Sequence, residues 1–557
     1  MKIKSMFGRF CLFSLFLLFL SFSTSFAVLK SNPIKVLGEL IGLNDYAVKY
    51  DTIQIHLDES IKNNFRNEIT DALNGVNFQG KKRFVFSDNT DAVSITAVEG
   101  NNSIIIDRYD LIPVVGIYSL QDNVSLDNLR TSTVYILNPL FEDYLNDVYG
   151  ISCSLVDSYS SLVKKLSSDE YSVGLIEFGE IGREVKVISF NGKYFLDDEN
   201  GGVHIDVYCV NVDEGNEYIA EIIKNNMPVH KEDIDRSVLG KVNMGGVVAI
   251  ARDLLSKMGS VGSTTYPADL IGNFLADADL THVSNEVSFV SGCKNDGGMR
   301  FCSDDRYIDV LKKSGVDIVE LTGNHNNDYG SENNARTIEM YKGLGIEYFG
   351  GGLDEVDAGK VLYKDVKGTN LAFVGYNYYD TIYNNTYVLA GSDRAGANSY
   401  SKEKLKNDIE SAKSNGADVI IVTFQFQECY CYPDGDVLYP ICYKPLSNPN
   451  QTEVFRNAID LGADIVIGTQ AHQPQTFEEY NGGMIFYGLG NLFFDQIEWI
   501  GTRQGLVLSH YLYDGKYIQT RITPTYMDKN FQVRLASEDE EQMLMTSLKE
   551  ARQKIPS

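Results

Sequence analysis

Three segments of the chain share one design, in which a helical pattern ends at a glycine and an apolar run follows at once. The segments are 314–321, 415–422 and 461–468, and each has glycine, a small apolar residue and aspartate before the apolar run. Glycine readily adopts the left-handed conformation that ends a helix, and a short apolar run after it is typical of a buried strand. Repeated helix-to-strand connections predict a layered α/β fold with mostly parallel or mixed sheets.

The chain is too long for one ordinary core, because 557 residues exceed the usual size of a single domain. Short β-rich runs alternate with helical patterns over residues 28–240, which predicts a separate N-terminal α/β domain. We place a second α/β domain at residues 241–535 and a charged helical tail at residues 536–557. In the segments 113–118 and 171–178 the first domain loosely resembles extracytoplasmic solute-binding domains, and a spacer or docking module is the alternative.

The N-terminus has the features of a secretory signal peptide over residues 1–27. Lys2, Lys4 and Arg9 precede an almost wholly apolar run at 10–22, and small residues lie at the expected cleavage positions before and at Ala27. The run is shorter than the roughly 20 residues that span a bilayer, and no later segment has transmembrane character. The sequence therefore predicts an extracytoplasmic protein, which is secreted or, if the signal is not cleaved, attached to the cell surface.

Charge and cysteine content restrict the partners and the compartment. The net charge is −27, which argues against nucleic acid or anionic lipid as a partner, because both need clustered positive charge. Of the eight cysteines, Cys293 and Cys302 form the easiest local pair to close. In an exported protein such a pair predicts a disulfide bond.

Polar side chains follow the apolar runs in the second half of the chain. If the strands are roughly parallel, their carboxyl ends meet at one edge of the sheet, where α/β proteins usually bind ligands. Oxygen and imidazole groups in this mixture suit a hard or borderline divalent cation, and they also suit a sugar or an anion. The side chains expected there are Glu286, Asn324, His325, Gln425, Glu428, Gln470, His472 and Asn491.

Each candidate residue has a functional and a structural interpretation. His325 is a candidate general acid oriented by Asp328, while Asn324 would bind a cation or a phosphoryl oxygen; the alternative is a capping loop. His472 is a metal ligand or a hydrogen-bonded histidine under a turn. Glu286 is a ligand, a substrate contact, or a buried carboxylate paired with an arginine.

Residues 242–526 resemble the capsule-synthesis CapA-type proteins of the calcineurin-like metallophosphoesterase superfamily. Four motifs occur in the family's order: 284–286, 323–325 with Asp328 and Gly330, 462–468 with His472, and 487–495. The resemblance implies a four-layer α/β/β/α sandwich with a metal site formed by the loops at the strand ends. It also implies a role in producing poly-γ-glutamate or a surface polysaccharide outside the cytoplasm.

The chain departs from the family pattern at metal-ligand positions. Val247 stands where the family has a bridging carboxylate, Gln425 replaces the histidine of a His-Trp-Gly motif, and Gln470 replaces the first histidine of a Gly-His-His-Pro-His motif. Amide oxygens are poorer ligands than imidazole for zinc-like ions. The expected cofactor is therefore one divalent cation rather than two. The expected sites are catalytic His325 and Asp328; metal-binding Glu286, Asn324, His472, Gln470 and Gln425; and substrate-binding Glu428, Asn491, Arg503 and Arg252.

Three functional hypotheses follow. The first is an exported protein that makes or modifies an anionic cell-surface polymer, acting on a phosphoester or related bond with metal assistance. The second is a non-catalytic protein that binds a polymer or saccharide on the same scaffold. The third is a small-ligand receptor formed by the N-terminal domain. Other polymer-synthesis proteins are expected partners.

Overall fold

The computed structural model describes residues 52–555, apart from 62, 79–80, 89–92, 97–102, 213–216, 228–233, 296, 427–448 and 554. The signal peptide predicted at 1–27 and the predicted substrate contact Glu428 lie outside these residues. The chain divides into two compact units, one of Met1–Tyr109 and His204–Asp233 and the other of Asp110–Val203 and Ile234–Ser557. Among the described residues, no helix is both long and apolar enough to cross a bilayer.

The first unit is a small α/β structure. Its strands lie in the order Phe84–Phe86, Ile53–Leu57, Val93–Thr96 and Val203–Asn211, of which the first three are parallel and the last is antiparallel. The unit also contains the short strand pair Asn77–Phe78 and Lys81–Lys82, and the helices Asn63–Asn74 and Glu217–Lys224.

The second unit begins with another α/β segment. Residues 110–116 of the strand Ser103–Gly116 lie in this unit, where they pair with Val173–Ile176 on one side and with Val185–Val187 on the other. Further strands are Val134–Ile136, Cys153–Leu155, Asn123–Val124 and Ser189–Phe190; the helices are Leu126–Leu129, Glu142–Tyr144 and Tyr159–Ser168, and a π-helical turn spans Leu145–Tyr149. The alternation of strands and helices predicted for the N-terminal part is confirmed.

The rest of the second unit contains two larger sheets. Sheet I has the strand order Glu347–Phe349, Ile318–Glu320, Leu280–Asn285, Leu239–Ala249, Gln504–Tyr513, Lys516–Met527 and Val533–Leu535, with Asn491–Phe494 also paired to Leu239–Ala249. Sheet II has the order Leu362–Val366, Thr369–Asn377, Val419–Gln425, Ile465–Thr469, Gly483–Phe486 and Phe477–Tyr480. The central strands are parallel within each sheet.

Three separate hydrophobic cores show that these sheets form four layers. One core joins sheet I to the helices Arg252–Val261, Gly272–Leu275, Asp309–Lys313 and Ser331–Leu344. A second core lies between the sheets and includes Met244 of sheet I and Phe373 of sheet II. A third joins sheet II to the helices Lys402–Ser414 and Gln451–Leu461. The four-layer α/β/β/α sandwich predicted from the resemblance is therefore confirmed.

Local sequence explains how the helices of this sandwich end. Gly462 has φ +108° and ends the helix Gln451–Leu461, and Gly315 and Gly416 are also left-handed after helices. These are the glycines of the three repeated segments. Shorter helices are Glu355–Ala358, Tyr378–Ile382 and Ile500–Arg503. The helix Glu538–Arg552 follows the last strand and buries Leu544 and Leu548 in the core between the sheets.

The predicted disulfide between Cys293 and Cys302 is present. It closes a short loop in the second unit, and a crosslink of this loop length stabilises a fold by about 2–3 kcal/mol through the unfolded chain. We expect the Cys293→Ala/Cys302→Ala double variant to lose about that much in free energy of unfolding, measured by urea denaturation. The matched control is wild-type protein with this disulfide reduced, which should lose the same free energy of unfolding. Unchanged stability in the double variant would contradict the expectation.

Candidate functional site

Side chains from loops of both sheets meet at the ends of the parallel strands. Glu286 follows the strand Leu280–Asn285 of sheet I, and His472 follows the strand Ile465–Thr469 of sheet II. The Nε2 atom of His472 lies 4.0 Å from Oε1 of Glu286, and both side chains are buried. His325 interacts electrostatically with both residues. The structure therefore brings Glu286, His325 and His472 together.

His325 is held by the carboxylate of Asp328. Its Nδ1 lies 2.6 Å from Asp328 Oδ2, which also accepts a hydrogen bond from the backbone N–H of Phe301 at 2.8 Å. Burial alone would lower the pKa of His325, but the hydrogen bond to Asp328 and the charges of Glu286 and Asp328 outweigh it and raise the pKa. With 15% of its side chain exposed, His325 can exchange protons with solvent. These properties suit a proton donor.

We expect Asp328→Asn to lower the pKa of His325, because the variant removes a negative charge within hydrogen-bond distance of the ring. Histidine Cε1–H resonances followed by NMR from pH 5 to 9 measure this value directly. The exposed Asp127, paired only with Arg130 on the surface, supplies the control Asp127→Asn. An unchanged His325 pKa in Asp328→Asn would show that the carboxylate does not hold the proton.

His472 is oriented by Asn491. Asn491 uses its amide nitrogen to donate to Thr502 O at 3.0 Å and Gln496 Oε1 at 3.2 Å, so its Oδ1 faces His472 Nδ1 at 2.8 Å. An amide oxygen only accepts, so Nδ1 is assigned the proton. Burial lowers the pKa of His472, which keeps the ring neutral. A neutral imidazole of this tautomer presents Nε2 as a ligand atom toward Glu286.

Arg252 lies beside both histidines. Its Nε is 3.1 Å from each carboxylate oxygen of Asp495, and its Nη2 also contacts that carboxylate. The guanidinium carbon lies 4.5 Å from the ring centre of Phe301 and 5.0 Å from that of Phe494. Phe301 is 4.1 Å from the His325 ring, and Phe494 is 5.1 Å from the His472 ring. Arg252 and the two rings thus connect the histidines.

Three residues of the site, Phe301, Phe494 and Asp495, were not among the residues predicted from the sequence. Asp495 ends the motif at 487–495, so its position in that motif was an available signal. Phe301 is adjacent in sequence to the disulfide cysteine Cys302, and nothing in its local pattern indicates a contact with His325.

Backbone strain is concentrated in the loops of this site. Arg252, Gln470 and His472 have φ values of +48°, +92° and +54°, in the left-handed region that non-glycine residues rarely adopt. Such conformations cost about 1–3 kcal/mol each and cluster at functional sites. The surrounding fold must therefore hold these loops in place.

The glutamines and Asn324 contribute amide groups. Gln425 Nε2 donates to Gln470 Oε1 at 2.9 Å, so the two residues form a pair at the end of sheet II. Gln425 Oε1, Asn324 Oδ1 and Glu286 Oε1 are buried and accept no hydrogen bond from the described residues. A buried acceptor without a donor is costly, and each such atom calls for an explanation such as an ion or a water molecule.

Of the residues predicted to bind substrate, Asn491 and Arg503 contact other protein groups. Asn491 acts on His472 through the hydrogen bond described above. Arg503 donates from Nε to Met527 O at 2.9 Å and lies over the ring of Tyr526, on the hairpin strand Lys516–Met527. Glu428 lies outside the described residues. Substrate contacts of Arg252, Asn491 and Arg503 therefore stay predictions.

The side chains at these strand ends include ligand types for a cation, and they lack the carboxylate that would bridge two. The buried acceptor oxygens of Glu286, Asn324 and Gln425 and the imidazole of His472 are ligand types that suit a hard or borderline divalent ion. Val247 packs with Phe301 and Phe494 in an apolar cluster, where the family resemblance would have a bridging carboxylate. Within the described part of the chain, no three His, Cys, Asp or Glu side chains are grouped closely enough to hold a metal ion. Any cation here depends on amide oxygens.

Comparison with known proteins relates this region to one family. Residues 241–496 match the family described as "Bacterial capsule synthesis protein PGA_cap". The match covers 256 of the 557 residues, so the similarity to this capsule synthesis family applies to this part of the chain alone.

Two proteins in this comparison carry the name CapA. The chain is 26% identical over 294 residues to "Capsule biosynthesis protein CapA" of Bacillus anthracis, covering 51% of this chain and 65% of that protein. It is 28% identical over 218 residues to "PGA biosynthesis protein CapA" of Bacillus subtilis (strain 168), covering 39% of this chain and 52% of that protein. The chain thus spans less than two thirds of the length of either relative.

Solved structures resemble parts of the chain only distantly. The calcineurin-like phosphoesterase YfkN of Bacillus subtilis is 14% identical with a TM-score of 0.34, over 57% of this chain and 98% of that chain. An ABC-type phosphate transport receptor of Vibrio cholerae is 13% identical with a TM-score of 0.21, over 31% of this chain and 91% of that chain. At these scores neither likeness supports a conclusion about function.

Proposed function

We propose that this protein acts outside the cytoplasm in synthesis or modification of an anionic cell-surface polymer, which is poly-γ-glutamate or a capsular polysaccharide. The observation that carries the proposal is the cluster of Glu286, His325 and His472, gathered from both sheets within the region that matches the capsule synthesis family. The disulfide of Cys293 and Cys302 supports an oxidising compartment. The sequence of residues 1–27 supports export.

The proposed chemistry is proton donation at a phosphoester or related bond. His325, kept protonated by Asp328, would give its proton to a leaving-group oxygen, and Asp328 would stabilise the charged ring before transfer. Glu286, His472, Asn324 and Gln425 would hold one divalent cation, which polarises an oxygen of the reacting group. Arg252 would add positive charge beside an anionic substrate, although Asp495 balances part of it.

A test of this activity uses the full chain with bis(p-nitrophenyl) phosphate and added Mn²⁺. We expect His325→Ala to reduce turnover by about 100-fold or more, the usual contribution of a general acid. His56, which lies in the first unit, supplies the control variant His56→Ala. Turnover that is equal in His325→Ala and wild type would reject the catalytic role of His325.

A second candidate function is binding without catalysis. The observation that favours it is the hydrogen-bonded pair of Gln425 and Gln470, which present amides where the family resemblance has imidazoles. Amide pairs of this kind suit recognition of a sugar or peptide amide group. Calorimetric titration with poly-γ-glutamate and with capsular saccharides, with and without chelator, separates the two. Binding that persists with chelator, in the absence of any turnover, supports the second candidate; turnover abolished by chelator rejects it.

A further inference from the structure

Glu320 is a buried carboxyl that contacts both sheets of the sandwich. It ends the strand Ile318–Glu320 of sheet I, and its side chain has no solvent exposure. Its Oε1 accepts hydrogen bonds from the hydroxyls of Thr322 and of Thr469, the latter at 3.3 Å. Thr322 belongs to the loop after that strand, whereas Thr469 ends the strand Ile465–Thr469 of sheet II. One oxygen atom therefore joins the two sheets.

Both threonines lie at the base of a loop of the candidate site. Thr322 precedes His325 by three residues, and Thr469 precedes His472 by three residues. Each threonine has a second contact, since Thr322 O accepts from the side-chain amide Nδ2 of Asn377 at 2.9 Å and Thr469 Oγ1 lies 3.2 Å from the backbone oxygen of Phe424. A change in the Glu320 contacts would thus reach both histidine-bearing loops directly.

The groups packed against Glu320 supply no positive charge. His282, on the neighbouring strand of sheet I, has Nε2 at 3.7 Å from Glu320 Oε2. His510, on the strand Gln504–Tyr513, interacts electrostatically with His282 and is also fully buried. Burial lowers the pKa of both histidines to about 3, so both are neutral. The other groups near the carboxyl are the hydroxyls of Ser284 and Thr423.

In these surroundings the neutral form of Glu320 is favoured. Burial raises the pKa of Glu320 to about 7, although hydrogen bonds from the surrounding hydroxyls oppose the increase. Both threonine hydroxyls donate to Oε1, and a carboxyl group accepts such bonds in its neutral and in its ionised form. Ionisation would, however, leave a negative charge in the core without a cationic partner. Burial of this residue between the sheets therefore favours its neutral form.

We propose that Glu320 is a positioning residue that ties the His325 loop to the His472 loop through Thr322 and Thr469, and that the two loops keep their arrangement only while its carboxyl is neutral. The proposal rests on the candidate site as the working site of the protein. It adds to that site a buried group that touches none of its reacting atoms and sets the distance between its two histidines. Activity would then fall above neutral pH for a reason separate from the ionisation of His325.

The test is an NMR titration of the full chain from pH 5 to 9, with the backbone amides of Thr322 and Thr469 and the Cε1 of His472 as probes. In wild type we expect all three resonances to share one inflection near pH 7. Glu320→Gln keeps a neutral hydrogen-bonding group, so it should hold the loops as in wild type at low pH and abolish the shared inflection. Glu541→Gln is the matched control, because burial also raises the pKa of Glu541, which lies on the C-terminal helix.

Separate inflections at the two threonines, or a shared inflection that survives Glu320→Gln, would overturn the proposal. A purely structural role would lower stability in Glu320→Gln without changing the pH profile of the loops. The titration needs no substrate and no metal, so it stays interpretable if phosphodiesterase activity is not found. Conversely, activity lost in His325→Ala together with an unchanged profile in Glu320→Gln would refute the positioning role alone.

Discussion

Replacing Glu478 by alanine should lower the free energy of unfolding by about 3–5 kcal/mol, the usual cost of breaking a buried ion pair by removing one partner. Glu478 lies on the strand Phe477–Tyr480 and is fully buried. Arg456 binds it through two nitrogens, at 2.9 and 2.8 Å, and Arg552 lies 3.1 Å away on the C-terminal helix. The Tyr487 hydroxyl donates to the same carboxylate. Alanine would leave two largely buried guanidinium groups without their anion.

Urea denaturation at pH 7 measures this loss. The control is Glu339→Ala, which removes the partner of Lys342 from an exposed pair and should change stability by less than about 1 kcal/mol. Because Arg552 lies on the helix Glu538–Arg552, we also expect Glu478→Ala to expose that helix to proteolysis before the rest of the chain. If Glu478→Ala and Glu339→Ala lowered the free energy of unfolding by similar amounts, the buried ion pairs of Glu478 would not be a main stabilising contact of the helix Glu538–Arg552.

The second large effect is a pH dependence of stability that Glu320 creates. The pKa of Glu320 is raised from 4.5 to about 7, so the folded state favours the protonated form more than the unfolded state does. Below about pH 4.5 Glu320 is protonated in both the folded and the unfolded state, so it does not lower the stability. As the pH rises through this range the folded state loses stability, and above about pH 7 the full loss persists. It amounts to about 3 kcal/mol at most, since each unit between two pKa values corresponds to about 1.4 kcal/mol.

Other carboxyl groups also change stability with pH, so the informative quantity is the difference between Glu320→Gln and wild type. We expect the free energy of unfolding of Glu320→Gln, relative to that of wild type, to increase by up to about 3 kcal/mol as the pH rises from 5 to 8. Chemical denaturation at closely spaced pH values gives this difference. A difference that is constant with pH would mean that Glu320 titrates normally in the folded protein.

Much of the fold could be predicted because its determinants are local. The glycines at 315, 416 and 462 mark the ends of helices, and the apolar runs after them become the strands Ile318–Glu320, Val419–Gln425 and Ile465–Thr469. The division into two larger sheets came from the resemblance, because periodicity alone does not indicate which strands are neighbours. A parallel pairing such as that of Leu280–Asn285 with Leu239–Ala249 depends on contacts between distant segments.

The site was predictable in part for the same reason. Parallel strands direct their carboxyl ends to one edge, so the expectation that Glu286, His325 and His472 come together needed no side-chain detail. The partners of these side chains were not predictable. Arg252 pairs with Asp495 across 243 positions of sequence, and the sequence offered an arginine partner for Glu286 instead. In the sequence, Glu320 is one polar residue within an apolar run, and nothing there indicates that it is buried between two sheets. It is this burial that raises its pKa.

We propose that loops of both sheets form one site for a single cation. Equilibrium dialysis of the full chain against Mn²⁺, followed by elemental analysis, tests it most directly, with Glu286→Gln and His472→Ala as variants and His56→Ala as the control. We expect one equivalent of Mn²⁺ to bind to wild type and to His56→Ala, and none to bind to Glu286→Gln or His472→Ala. No bound Mn²⁺ in wild type, two equivalents, or one equivalent retained in both Glu286→Gln and His472→Ala would contradict it.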